Sequence, residues 1–131
     1  MDLIRIYQCL CDETRLRILH LLAQAPLCVC HFQTVLREPQ VKISKHLSYL
    51  KNRGLVECRP HQNWRIYKLP DAPGYELEQH LKCLQDCIRE NRLFREDLQR
   101  LQVVTAEASA IAREGCGPAR PPPGRKKTAC C

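Results

Sequence analysis

Two thiols stand two positions apart in Pro26-Leu27-Cys28-Val29-Cys30-His31. Deprotonated sulfur at that spacing is a ligand for a thiol-seeking ion, and the anion is easier to form near a helix N-terminus, where the backbone dipole stabilises negative charge. A helix is expected to begin at these residues, which favours them. Spacing raises an objection, because residues i and i+2 of a regular helix face nearly opposite ways. For both sulfurs to hold one ion, the helix start must be unwound or must unwind on binding.

Other cysteines compete for this role, since the chain has ten. Cys83 and Cys87, with His80, are spaced by three and four and so share one helix face, which suits ligation without distortion. Against that stands the habit of cysteine as a small core residue. Cys9 and Cys11 are read as packing residues and Cys58 as structural on the inward side of a strand, while Cys130-Cys131 form an unstructured, reactive end. His20 is placed on a helix surface and His61 in a turn. A third ligand for Cys28 and Cys30 is open: Cys116, Cys130 or Cys131 from the tail, or no protein atom.

So many cysteines could mark a secreted disulfide scaffold. The first residues, Met1-Asp2-Leu3-Ile4-Arg5, carry no basic-then-apolar signal segment, and no apolar run approaches a membrane span. The close pairs 9/11, 28/30, 83/87 and 130/131 suit shared ligation better than long-range bridges. A reduced, cytoplasmic protein that engages no membrane is expected. The net charge of +7, from 21 Lys+Arg against 14 Asp+Glu, calls for an anionic partner. Aromatic residues are only 5% of the chain, too few for base stacking as the main contact, so the charge is expected to work on duplex phosphates.

The elements that must position these groups follow from apolar periodicity. Residues 2–11 read as a helix with Leu3, Ile4, Tyr7 and Leu10 on its apolar face. Asp12 is an N-cap, with Glu13 in the first turn of a buried central helix over residues 14–24. A short helix over 29–36 turns Phe32, Val35 and Leu36 inward. Arg37-Glu38-Pro39 is a turn. A second helix over 40–53 points Val41, Ile43, Leu47 and Leu50 one way, and Gly54 stops it. Helix, tight turn and helix with a basic outer face make a helix-turn-helix. Strands over 55–59 and 64–69, around His61-Gln62-Asn63, make a wing in which Trp64, Ile66 and Leu69 interleave with Arg65 and Lys68. Between residues 40 and 68 the basic residues are Lys42, Lys45, Lys51, Arg53, Arg59, Arg65 and Lys68, against the single acid Glu57.

A long helical run over 75–113 carries Leu77, Leu81, Leu84 and Ile88 in one register and Phe94, Leu98 and Leu101 in another, an offset that predicts a local slip. So narrow a stripe calls for a partner helix: another copy of the chain, or the chain's own first helix. The fold class expected is mostly α with a small β-hairpin wing, a winged helix-turn-helix dimerising through its first and its long C-terminal helix. Residues 1–113 form the DNA-binding and dimerisation domain, and residues 114–131, with Pro121-Pro122-Pro123 and Arg125-Lys126-Lys127, a disordered basic tail.

Asp12-Glu13-Thr14-Arg15-Leu16-Arg17-Ile18-Leu19, Ile43-Ser44-Lys45-His46-Leu47-Ser48-Tyr49-Leu50, Gly54-Leu55-Val56 and Trp64-Arg65-Ile66-Tyr67-Lys68-Leu69 resemble the second-helix, recognition-helix and wing signatures of the ArsR/SmtB family of winged-helix metalloregulatory repressors. Leu27-Cys28-Val29-Cys30 resembles its arsenic-responsive branch. The resemblance spans about residues 3–70 and implies a homodimer that occupies an operator and leaves it when an inducer binds. For this branch it implies trivalent arsenic or antimony held by Cys28 and Cys30, with no permanently bound cofactor. Two positions depart from the pattern. Gln33 stands where a third cysteine is frequent, and His31 where an acid is common.

Trivalent arsenic is soft and takes thiolates in three-coordinate complexes. A two-thiol site would also suit a methylated trivalent arsenical. On the DNA side, Gln40, Lys42, Ser44, Lys45, His46, Ser48 and Tyr49 are the recognition-helix candidates, since Gln reads adenine and Lys guanine in the major groove. Arg59, His61, Gln62 and Arg65 on the wing suit phosphates or the minor groove. Three alternatives remain at this point: a zinc/cadmium sensor using the long helix, a thiol-redox sensor of the same fold, and a thiol-dependent reductase. The sequence lacks a Gly-rich phosphate loop, a Cys-x-x-Cys pair and zinc-hydrolase spacing, and no enzyme is expected.

Overall fold

A computed structural model describes residues 3–113 of the chain. The order is α1 (Leu3–Leu10), α2 (Glu13–Leu22), β1 (Leu27–Cys28), α3 (Val29–Leu36), α4 (Gln40–Asn52), β2 (Glu57–His61), β3 (Trp64–Lys68), α5 (Tyr75–Cys87) and α6 (Arg92–Arg113). This is the winged helix-turn-helix, with one element that periodicity misses. β1 is two residues long, too short to carry a pattern of its own. It pairs antiparallel with β3 as Leu27↔Tyr67 and Cys28↔Ile66, so the sheet runs β1-β3-β2.

Asp12 starts α2 by accepting the Arg15 amide at 3.0 Å, as an N-cap should. α2 is the central helix, with Ile18, Leu19, Leu21 and Leu22 buried. His20 is buried there too, edge-on to Phe94 at 5.6 Å, and is no surface residue. α3 ends at Arg37 in the left-handed region (φ 56°), and Pro39 opens α4 from an extended N-cap. Ile43, Leu47 and Leu50 seal α4 against the core, whereas Val41 is 66% exposed. A step of two residues separates Val41 from Ile43, enough on a 3.6-residue period to put them on different faces.

Gly54 leaves α4 with φ 79°, and the wing reverses at Gln62 with φ 55°. Tyr67 is the wing residue that reaches the core (1% exposed), with Trp64 and Ile66 half-buried. The β3 pleat therefore faces inward one residue out of step with the expected interleaving. α1 likewise turns Ile6 and Cys9 inward and leaves Leu3, Ile4 and Tyr7 exposed; of the face expected from sequence, Leu10 alone packs on the core.

The run over 75–113 is two helices. Ile88 caps α5, and Asn91 starts α6 by accepting the Leu93 amide at 3.0 Å through Oδ1. The offset between the two leucine registers coincides with this break. Leu77, Leu81, Ile88, Phe94 and Leu101 are buried within the chain itself, α5 lying on α2 and α6 on α2 and α3. The tail over 114–131 lies outside the described residues. No helix among them is long and apolar enough to cross a membrane.

Candidate thiol site and nucleic-acid interface

Cys28 belongs to two elements at once. It ends β1 with extended backbone (φ −95°, ψ 167°) and is the N-cap of α3. The objection from helical spacing therefore does not apply, because only Cys30 is helical. Cys28 Sγ, Cys30 Sγ and one ring nitrogen of His31 all lie within 4.8 Å of one another. The helix start is thus already unwound at Cys28, one of the two conditions the spacing set, and no unwinding on binding is needed to bring the sulfurs together.

His31 Nδ1 lies 3.4 Å from Cys28 Sγ and 3.5 Å from the Cys28 amide nitrogen, the reach of a residue in the first turn back to its cap. Cys28 is 5% exposed and Cys30 is open to solvent, so the trio has one outward side. The Cys28 thiol is drawn down to about 4, first by a hydrogen bond from Cys30 and then by His31, against the opposing effect of burial. Cys30, as the donor to that thiolate, is pushed up, and His31 is raised by the same sulfur. Of the two sulfurs, Cys28 is therefore the one whose thiolate the surroundings favour.

The rival set does not converge in the same way. Cys83 Sγ and Cys87 Sγ are 3.7 Å apart on the exposed face of α5. His80 is turned elsewhere, with Nε2 3.0 Å from the Tyr7 hydroxyl and Nδ1 2.7 Å from the Glu76 carbonyl. Cys9 is buried, Cys11 exposed, and Cys58 packs on the core. Cys116, Cys130 and Cys131 lie outside the described residues.

The outer face of α4 is an open depression lined by Gln40, Val41, Ser44, Lys45, Ser48, Tyr49, Asn52 and Arg53. Lys45 is exposed there, while Lys42 is paired with Glu38 at 3.1 Å. Ser44 Oγ is buried with no hydrogen-bond partner among the described residues. His46 is half-buried, its Nε2 3.9 Å from Asp12 Oδ1, and burial holds its imidazole below the usual range. The Tyr49 ring is stacked by two guanidinium groups, Arg53 at 3.4 Å and Arg15 at 4.2 Å from the centroid. Arg15 also donates to the Gln8 and Cys9 carbonyls, so one side chain joins α1, α2 and α4. On the wing, His61 and Gln62 are exposed at the tip; Arg59 is held near Glu57 and Asp71 at 3.6 and 3.4 Å. Arg65 is half-buried on β3.

Sequence reasoning missed His31 as a neighbour of the sulfurs, Val41 as an outward apolar group, and the Arg15–Tyr49–Arg53 stack. An exposed valine in a major-groove helix is suited to a thymine methyl. The signal for His31 was its place three residues after the helix cap, where a side chain reaches back to the cap.

A helix-turn-helix family model described as "Bacterial regulatory protein, arsR family" matches residues 12–57. The "Arsenical resistance operon repressor" of Escherichia coli K12 is 36% identical over 91 residues, covering 66% of this chain and 78% of that one. The chain belongs to the arsR family of bacterial regulatory proteins. An uncharacterized HTH-type transcriptional regulator of Methanocaldococcus jannaschii is 42% identical over 73 residues, covering 55% of this chain and 82% of the other. Among solved structures, HlyU from Vibrio cholerae matches with a TM-score of 0.58 at 26% identity, over 64% of this chain and 88% of that one. As an arsR-family member the chain is a DNA-binding transcriptional regulator and not an enzyme, so the reductase alternative falls away.

Proposed function

We propose that this regulator is a cytoplasmic repressor that occupies an operator as a homodimer and leaves it when trivalent arsenic or antimony binds Cys28 and Cys30. The observation that carries this reading is the convergence of the two sulfurs at the turn from β1 into α3. Cys28 is strand-paired to Ile66 of the wing, and α3 is the first helix of the helix-turn-helix. An ion that draws Cys30 toward Cys28 acts on the wing and on the support of α4 together. To take an operator from 99:1 bound to 1:99 requires about 5.5 kcal/mol of differential affinity, within reach of metal–thiolate bonds.

In this reading the DNA-facing residues are Gln40, Lys42, Ser44, Lys45, His46, Ser48 and Tyr49 on α4, with Arg59, His61, Gln62 and Arg65 on the wing. The homodimer is supported by Leu3, Ile4 and Tyr7 on α1 and Val103 on α6, apolar side chains that remain exposed in a single chain. The E. coli relative, by its name, represses an arsenical resistance operon, which supports the inducer class.

The test is binding to the DNA upstream of the protein's own coding sequence, with arsenite titrated in. Wild type and Cys83→Ser/Cys87→Ser are expected to release the DNA, and Cys28→Ser/Cys30→Ser to hold it. Induction unchanged in the Cys28→Ser/Cys30→Ser protein would remove the site from the reading.

A further inference from the structure

Two sulfurs and an imidazole nitrogen do not make an arsenic site of the usual kind. Trivalent arsenic takes sulfur, whereas a mixed set of thiolate and imidazole suits borderline divalent cations. The Cys28–His31 separation fits such an ion. Bonds of about 2.3 Å to sulfur and 2.0–2.1 Å to nitrogen, at a tetrahedral angle, put sulfur and nitrogen about 3.5 Å apart. Cys28 Sγ and His31 Nδ1 are 3.4 Å apart in the structure. Cys30 Sγ lies inside the same 4.8 Å limit, and its open side leaves a fourth position for water or another donor. No other trio of Cys, His, Asp or Glu donors is so gathered among the described residues.

The ring is also aimed. Nδ1 points back along the first turn of α3 toward Cys28, and the 3.5 Å separation from the Cys28 amide is long for a hydrogen bond. An ion seated between Nδ1 and the two sulfurs takes the place of the weak amide contact and of the hydrogen bonds that Cys30 and His31 direct at the Cys28 sulfur. Gln33, half-buried on the same helix, adds no thiol.

We propose that His31 Nδ1 is the third protein ligand of a Cys28–Cys30–His31 site that takes zinc or cadmium. This rests on the reading of Cys28 and Cys30 as the inducer site and widens the class of inducer. Arsenic needs only the two thiolates, whereas the divalent ions need the nitrogen as well.

The experiment uses the full chain with Cys83→Ser/Cys87→Ser, under a phosphine reductant, loaded with one equivalent of zinc per chain. X-ray absorption at the zinc edge is expected to show two sulfur ligands and the outer-shell scattering of an imidazole. His31→Gln removes that scattering and weakens zinc and cadmium at least ~10-fold in chelator competition, while His61→Gln leaves both unchanged. Arsenite-driven release of DNA by His31→Gln stays close to that of the parent. Absence of imidazole scattering in the zinc-loaded parent overturns the proposal without recourse to any variant. So does unchanged zinc affinity in His31→Gln, or loss of a sulfur ligand on Cys116→Ser/Cys130→Ser/Cys131→Ser. Failure of arsenite to release the parent from DNA would instead strike the repressor reading, and leaves the zinc spectrum to be judged by itself.

Discussion

Arg17 and Asp97, separated by 80 positions, meet as a two-pronged ion pair, Nε to Oδ2 at 2.7 Å and Nη2 to Oδ1 at 2.8 Å. Asp97 is wholly buried and Arg17 is 6% exposed. Arg17 also donates to the Leu36 carbonyl at 3.2 Å. Arg100 donates to Asp97 and to the Val35 carbonyl. One carboxylate thus ties α6 to α2 and to the last turn of α3, the helix whose first turn carries Cys30 and His31. Removing it leaves Arg17 buried without its counter-ion, which typically costs about 3–5 kcal/mol. Asp97→Ala is expected to lose stability on that scale in urea unfolding followed by circular dichroism. A loss below about 1 kcal/mol would mean that water replaces the carboxylate without penalty.

His20 sets a pH dependence. Burial holds its imidazole below the usual range, against the raising pull of Asp97. The unfolded chain takes up a proton near pH 6.5 while the folded chain resists it, so the unfolded state binds more protons and stability rises with pH. This contribution is complete above about pH 6.5 and is lost as the pH falls toward the depressed folded value. His31 is raised and acts in the opposite sense, so the difference between two proteins is the useful readout. His20→Leu should lose stability less steeply than wild type on acidification through that window. Equal slopes in urea titrations would show that His20 accepts its proton in place.

Lys45 is the exposed cation of the α4 depression, whereas Lys42 is paired with Glu38. Lys45→Ala is expected to weaken operator binding and to reduce the salt slope, the fall of log K with log salt, by roughly one. Fluorescence anisotropy across a salt series measures both. A weaker complex with an unchanged slope would place Lys45 on a base edge rather than a phosphate.

Ile4 is 66% exposed and Val103 57% exposed, as a dimer seam through α1 and α6 requires. Ile4→Glu/Val103→Glu should sediment as monomers at concentrations where wild type forms the proposed homodimer, with unchanged circular dichroism. Dimers that persist in this variant would move the seam elsewhere.

Cys9 is buried and its thiol is pushed up by burial, whereas Cys11, Cys83 and Cys87 are exposed. Pulsed alkylation read by mass spectrometry should label Cys9 last of these four. Early labelling would mean that α1 opens locally.

The helix-turn-helix was legible because its signals are local. Phe32, Val35 and Leu36 repeat at helical spacing, Pro39 and Gly54 bracket the next helix, and the wing alternates around a polar turn. What escaped depends on partners distant in sequence. Ile6 with Cys9, and Leu3 with Tyr7, are both acceptable helical stripes, and only the core chooses between them. Arg17 and Asp97 look like solvated charges until α6 is laid on α2. The spacing of the cysteine pair called for an unwound helix start, but the strand that provides it was not legible, because β1 exists only through its pairing with Tyr67 and Ile66. The break at Asn91 was visible as a register offset, whose cause was the cap.

The Arg17–Asp97 pair also bears on how the protein is born. During synthesis α2 leaves the ribosome long before α6, and domains tend to fold as units as they emerge. Until residue 97 is free, Arg17 lacks the carboxylate it pairs with, and burying it would be costly. The reading helices are therefore denied their finished arrangement until nearly all of the described chain has been made. For the repressor proposed above, operator binding would then have to wait for the helix that completes the fold.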